Sequence, residues 1–553
     1  MGDYARITQE EKIKRLTIVI SSISLILVFV RILVLSNMMS KMPNANGIFA
    51  AAYEIFCVFI ILTSYTFSIS VNKMVRSRIR HGQIRNAFKV LRSAVVIAII
   101  IGGIMSVLFY FFPEMFARDL MKVSSAAFAV KQLAPALIIL CVSGSIRGFL
   151  CGFDIEIPCA LISVLEQVVV FIVSILGLNY YKAYGVKVSG LLMNEEYNAI
   201  YAVKGCMTGV TIGAFVGLCL YIFIYYMNRI KFKKLLRKDT TIRDENYGQV
   251  SNIFFRSVLP YAAILLLFVM HTFISQRFLN GHFSQKGNET YAMKYFGMYY
   301  MKFRAFIAIP IMLFFMAMKN EEYQILKYAK NNDVKRIREY LQSAVRKILL
   351  FALPATCYVM ILGSRITGFI CNGSQETIEY LMLPGALLII LYSLIFVTTK
   401  VLFGMRKLKE IFVVLIVSNA LYFISFIFMV RNFNLGIEAL LISAIVFALF
   451  VLVGNMVFIK RYVGYRQELL YTVFIPYIAT FAMGVVFFII QAVIGTNINP
   501  LLVLVVAALI GFVVFWIVIA ALKGIQKDEL WEIPTGKIAY LLLTKTGFLE
   551  EKE

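Results

Sequence analysis

The sequence predicts an all-α polytopic membrane protein: about fourteen transmembrane helices, two like halves of six, and two extra helices at the C-terminal end. Three observations predict this. The chain is too apolar to fold in water, with 553 residues of which 61% are hydrophobic and a mean hydropathy of +0.82. Its basic residues gather in every second loop. Residues 41–153 also resemble residues 291–403 at a constant offset of 250.

Apolar stretches of about 20 residues, each long enough to cross a bilayer as a helix, recur near 17–36, 48–70, 93–113, 127–147, 157–178, 205–227, 257–279, 297–318, 346–364, 380–402, 411–431, 436–459, 468–492 and 499–522. They lack the polar/apolar alternation of barrel strands, and a helix satisfies its own backbone in lipid. The first stretch lacks a small-residue cleavage pattern and reads as a retained span.

The net charge of +25 does not indicate nucleic acid, because of where it sits. Lys12, Lys14 and Arg15 precede span one. Lys73, Arg76, Arg78, Arg80, Arg85 and Lys89 lie between spans two and three. Arg229, Lys231, Lys233, Lys234, Arg237 and Lys238 follow span six, and the series continues with Lys335, Arg336 and Arg338, with Arg406, Lys407 and Lys409, and with Lys460, Arg461 and Arg466. This is the positive-inside pattern, and an even count places both termini on the cytoplasmic side. The eight cysteines form no metal-ligand spacing and read as small packing residues.

Within the repeat, Gly47 falls on Gly297, Ser93-Ala94-Val95 on Ser343-Ala344-Val345, and Ala136-Leu137 on Ala386-Leu387. Both halves start on the same side, so they are parallel repeats about an axis along the membrane normal, with a site expected between them. The expected organisation is an N-lobe over 1–230, a cytoplasmic linker over 231–255, a C-lobe over 256–462, two further helices over 463–523, and a tail over 524–553 with amphipathic character (Leu530, Trp531, Ile533, Ile538). Residues 179–204 read as a long outside loop.

Ionisable side chains inside spans are costly and usually face a cavity or a partner. The candidates are Arg31 in span one, Glu54 in span two, Arg147 ending span four, Glu166 and Gln167 in span five, His271 in span seven, Lys302 and Arg304 in span eight, and Lys400 ending span ten. Glu54 falls on Arg304 at the repeat offset, which suggests that they face each other across the pseudo-twofold axis. Basic residues predominate, and a guanidinium offers a bidentate fork to phosphate or carboxylate. Arg31, Arg147 and Lys400 could instead snorkel to the interface, Glu166 could be a structural partner of Arg147, and His271 is as well a packed histidine as a proton carrier. No P-loop, GxSxG, HExxH or EF-hand pattern occurs, and no catalytic residue, metal site or cofactor is expected.

The stretch 133–167, with Pro135, Arg147, Gly148, Gly152, Pro158, Glu166 and Gln167, resembles the helix-four to helix-five region of the stage V sporulation protein B-like polysaccharide and lipid II flippases. Residues 47–75, 202–218 and 528–543 are similar to other parts of that family. It lies within the multidrug, oligosaccharidyl-lipid and polysaccharide exporter superfamily. The resemblance implies two six-helix lobes in a V around a central cavity, in a bacterial cytoplasmic membrane. It implies the flipping of an undecaprenyl-diphosphate-linked glycan, either lipid II or a polysaccharide repeat unit, with membrane lipids and a coupling ion as further partners. Arg31, Lys302 and Arg304 would then meet the diphosphate in a substrate-binding cavity that Glu54 and His271 also line, and Arg147, Glu166, Gln167 and Lys400 would set conformation or coupling. The alternatives are a cation-coupled multidrug exporter, which would need more acidic cavity residues, a membrane enzyme, which would need an outside carboxylate cluster, and a non-transporting scaffold.

Overall fold

The computed structural model describes residues 9–42, 44–242, 244–287, 289–371, 378–493, 499–525 and 540. Fourteen of its helices are long and apolar enough to cross a membrane. In chain order they are α1 (Lys12–Met39), α2 (Ala45–Arg80), α3 (Ile84–Phe111), α4 (Ser124–Gly152), α5 (Glu156–Leu192), α6 (Glu196–Met227), α7 (Tyr247–Gln285) and α8 (Thr290–Met316). There follow α9 (Val334–Ile361), α10 (Leu387–Gly404), α11 (Leu408–Phe433), α12 (Ile437–Val463), α13 (Leu470–Val493) and α14 (Pro500–Ala521). No strand occurs among the described residues. The count agrees with the sequence expectation.

The helices outrun the hydropathy stretches. Arg76, Arg78 and Arg80 lie on the last turns of α2, Arg85 and Lys89 on the first turns of α3, and the turn between is residues 81–83 alone. The expected outside loop at 179–204 is also helical. The chain reverses at residues 193–195, between α5 and α6. Hydropathy marks the lipid-facing length, whereas a helix continues into the headgroup region wherever it has a neighbour to pack on. Here the neighbour is supplied by glycines. Gly205, Gly209, Gly213 and Gly217 recur every fourth residue on α6. A Cβ on Gly205 would stand 2.2 Å from the carbonyl oxygen of Gly177, and one on Gly209 would stand 2.5 Å from the Ser174 amide nitrogen. Such small-residue faces let two backbones touch, the usual basis of helix association in lipid.

The described residues pack as two compact units, Met1–Met301 and Lys302–Glu553. The division falls inside α8, at a π-helical turn over Tyr299–Arg304. In the first unit α4 crosses α2 closely. A Cβ on Gly148 would meet the Ser68 carbonyl oxygen at 2.5 Å, which gives the glycine after Arg147 a physical reason. A core of Phe67, Val71, Val90, Ala94, Phe149 and Phe254 joins α2, α3, α4 and α7. The repeat-related Gly47 and Gly297 meet in this unit. A Cβ on Gly297 would lie 2.4 Å from the amide nitrogen of Gly47.

The linker after α6 forms a short helix, Arg229–Arg237, and then straps across the α2–α3 turn. Asp239 accepts hydrogen bonds from the amides of Ile84 (2.8 Å) and Arg85 (3.2 Å), capping α3 from a distance. Arg78 donates to Glu245 at 2.6 Å, and Lys89 pairs with Asp244 at 2.8 Å. Burial acts to raise the Asp239 pKa, but hydrogen bonds from Thr241 and the two amides, with the charge of Arg85, outweigh it and hold the carboxyl below its usual range.

In the second unit, Asn455 of α12 donates to Thr398 (3.1 Å) and Thr399 (2.9 Å) of α10. Tyr358 of α9 donates to the Leu504 carbonyl of α14 at 2.8 Å. Lys347 pairs with Glu321 in a buried salt bridge. Asn499 caps α14 through its bond from the Leu501 amide, with Pro500 in the first turn. Of the expected C-terminal tail, residues 526–539 and 541–553 lie outside the described residues.

Candidate functional site

Within the first unit, α1, α2, α4, α5 and α6 enclose a cavity of about 300 Å³. Its wall carries Arg31, Arg147, Glu166 and Gln167 beside the hydroxyl-bearing Tyr53, Tyr221, Ser21, Ser24, Ser143 and Ser163. A serine-rich face on α1 and the small residues of α4 leave this space between otherwise apolar helices.

Arg31 is 2% exposed. One terminal nitrogen donates to the Tyr53 hydroxyl at 2.9 Å, and the guanidinium carbon stands 5.7 Å from the centre of the Tyr53 ring. Tyr53 is in turn stacked on Phe49 at 5.3 Å. The Nε of Arg31 has no hydrogen-bond partner among the described residues. Leaving a buried charged donor unmatched is expensive, and this edge of the guanidinium belongs to a residue that lines the cavity.

In the same lining, Glu166 lies in the field of both Arg147 and Arg31. Its carboxylate occupies a notch over Gly217, where a Cβ would come within 2.8 Å of Oε2. Ser163 and Tyr221 share a hydrogen bond of 3.3 Å, and Tyr221 also reaches the Cys159 carbonyl at 3.4 Å. Two cationic groups and one carboxylate thus share a space lined with hydroxyls. Such a site can hold an anionic oxygen group bidentately.

Four of the sequence candidates therefore share one wall. Arg31, expected with Glu54, His271, Lys302 and Arg304, lines this cavity together with Arg147, Glu166 and Gln167. Arg147, expected at the end of its helix, sits five residues before the end of α4 and lines the cavity. Glu54 is 1% exposed and is not part of this lining. His271 is buried in α7. Lys302, buried, and Arg304, half-buried, occupy the π-helical turn of α8 and belong to the second unit, as does Lys400, whose Nζ stands 4.9 Å from the Phe396 ring. The residues that charge-based reading missed are Tyr53, Tyr221 and Ser163 in the lining and Gly217 beneath the Glu166 carboxylate. The four-residue glycine spacing of α6 was the available signal for the last.

No family model matches the chain. Curated relatives do. The lipid II flippase MurJ of Bacillus subtilis (strain 168) is 23% identical over 503 residues, covering 86% of this chain and 89% of the relative. Stage V sporulation protein B of the same organism is 23% identical over 191 residues, covering 34% of this chain and 33% of the relative. Among solved structures, a lipid II flippase MurJ in an inward closed conformation superposes with a TM-score of 0.63, with 15% identity, over 91% of this chain and 98% of that one. An inward-facing multidrug resistance MATE family transporter of the MOP superfamily superposes at 0.59, with 13% identity, over 82% and 94%. The chain is thus similar along most of its length to a lipid II flippase MurJ and over about a third of it to stage V sporulation protein B, and it shares the fold of the solved MurJ and MATE transporters.

Proposed function

We propose that this protein flips a lipid-linked glycan precursor across the membrane, with the precursor's diphosphate held by buried arginines. The observation that carries the reading is Arg31: a guanidinium 2% exposed, braced by Tyr53 and with its Nε unmatched on a cavity wall. Homology along most of the chain to a lipid II flippase supports the substrate class. In this reading Arg31 and Arg147 neutralise the diphosphate while the polyprenyl tail stays in lipid. Lys302 and Arg304 are the candidates for the same role in the second half of the repeat. Glu166, the carboxylate between the two cavity arginines, exchanges partners as the substrate's phosphates arrive and leave. The basic ends of α2, α3 and α9 face the cytoplasm, and a membrane potential or coupling ion gives the direction.

The test uses purified protein in liposomes containing fluorescent lipid II, with accessibility of the label on the opposite leaflet as readout. Arg31→Ala should lower the rate roughly tenfold, the effect of losing one charge-assisted contact, while the protein stays monodisperse. Transport by the parent that is unaffected by both Arg31→Ala and Arg304→Ala would sink the cavity assignment. Absence of lipid II flipping by folded protein would move the substrate to a polysaccharide repeat-unit lipid. The placement of Glu166 in the cavity favours one rival, a cation-coupled exporter. Uptake of an organic cation that depends on Glu166 and not on Arg31 would establish it.

A further inference from the structure

We propose that the helix Arg229–Arg237 is a docking surface for anionic phospholipid headgroups, in the leaflet at the α6–α7 end of the protein. The proposal stands apart from the transport reading and rests on three features.

The first is placement. Asn228 ends α6, its side-chain amide donating back to the Ile224 carbonyl at 2.9 Å, and the new helix begins at the next residue. It therefore starts where a spanning helix leaves the bilayer. Phe232 anchors it, buried against Phe153 (5.1 Å), Tyr225 (5.5 Å) and Phe149 (5.7 Å). Leu235 and Leu236 pack on the same core.

The second is the opposite face. At 100° per residue, Phe232, Leu235 and Leu236 share one side, and Lys233, Lys234 and Arg237 share the other with Ile230 among them. All four are exposed, Ile230 at 62%. An apolar side chain set among cations is the pattern of a helix lying at the headgroup boundary. Tyr226 and Met227, also exposed, continue the apolar contact from the end of α6.

The third is uncompensated charge. The nearest acidic residues in sequence, Asp239, Asp244 and Glu245, are engaged by Arg85, Lys89 and Arg78. Lys231, Lys233, Lys234 and Arg237 have no ion pair among the described residues. Juxtamembrane clusters of this kind attract anionic headgroups.

The experiment places a photo-crosslinking benzoylphenylalanine at Ile230, in the full chain in nanodiscs of equimolar phosphatidylglycerol and phosphatidylcholine. A second protein carries it at the lipid-facing Ile104 of α3. Mass spectrometry reads the two lipid adducts. The expected result is phosphatidylglycerol enriched about threefold at Ile230 and not at Ile104, with the enrichment abolished in half-molar salt. It should also be lost when Lys231, Lys233, Lys234 and Arg237 are all changed to Gln, with the Ile104 ratio unchanged. Soluble inorganic phosphate at constant ionic strength should leave it intact. Equal ratios at both positions, or no lipid adduct at Ile230, would overturn the proposal, and competition by phosphate would assign the face to a soluble anion instead. The salt titration of the parent decides the matter even if the quadruple variant does not fold.

Discussion

Arg31 shows what a single buried charge does in this fold. Its exposure is 2%, so the Tyr53 hydroxyl that accepts from it satisfies a charge largely removed from bulk solvent. Tyr53→Phe removes that acceptor and leaves the ring stack on Phe49 in place. It should cost about 1.5–3 kcal/mol, the range for bonds to charged groups, read as a lower thermal midpoint in detergent. It should also slow flipping by misdirecting the guanidinium. Gly217→Ala tests the surroundings of Glu166. The new methyl would press on the Glu166 carboxylate at 2.8 Å, the end of a flexible side chain, so the protein should fold with little loss of stability. Its flipping rate, and the pH at which flipping is fastest, should shift if Glu166 acts through its position. Unchanged transport would make Gly217 a packing residue alone. Arg31, Arg147, Glu166 and Gln167 were legible in the sequence because a charge or amide in a span is conspicuous. Tyr53, Tyr221 and Ser163 were not, since hydroxyls cost little in a span and occur there for many reasons.

Among the elements, the α5–α6 hairpin depends on backbone contact. Gly209→Val would drive a side chain into the Ser174 backbone at 2.5 Å, where nothing can rotate away. It should destabilise by about 1–3 kcal/mol or more, against almost nothing for a lipid-facing change such as Ile212→Val, both measured by thermal unfolding. The linker is held by charge instead. Asp239 has a folded-state pKa below its unfolded value, so its carboxylate contributes stability that is fully present above about pH 4 and is lost as pH falls through the folded value. The strap should therefore hold at pH 5–8. Asp239→Asn should behave at pH 7 as the parent does in strong acid, with faster hydrogen exchange at the Ile84 and Arg85 amides that the carboxylate caps. Unchanged protection of those amides would mean that the strap is held by Arg78 and Lys89 alone. Hydropathy located every spanning element but ended several too early, because α2, α3 and α5 continue past the apolar length wherever a neighbour accepts them.

For the molecule as a whole, the repeat is the organising fact. Gly47 and Gly297 were matched by their offset in the sequence, and the structure puts their backbones in contact. Gly47→Leu and Gly297→Leu should therefore have like effects, each forcing α2 and α8 apart at this crossing and each lowering lipid II flipping by about the same factor. A large loss from one and none from the other would show that the equivalence is confined to sequence. The compact division at Met301/Lys302 does not follow the repeat boundary. Packing groups α7 and the start of α8 with the first six spans, whereas the sequence pattern counts them with the last six.

From its residues alone the chain determined its solvent, its helix count, its duplication and its polar intramembrane residues. Each is written in local composition or in a fixed offset: apolar length must match a bilayer, charge must avoid its centre, and a duplication preserves register. The tertiary structure decided which of the charges share a wall. Arg31, Arg147 and Glu166 come from α1, α4 and α5, and only the packing of those helices makes them neighbours. It also decided that four glycines become a contact face and that a distant carboxylate caps α3. Those outcomes depend on which backbones approach within a few ångströms, a distance set by every side chain between them rather than by any one stretch of sequence.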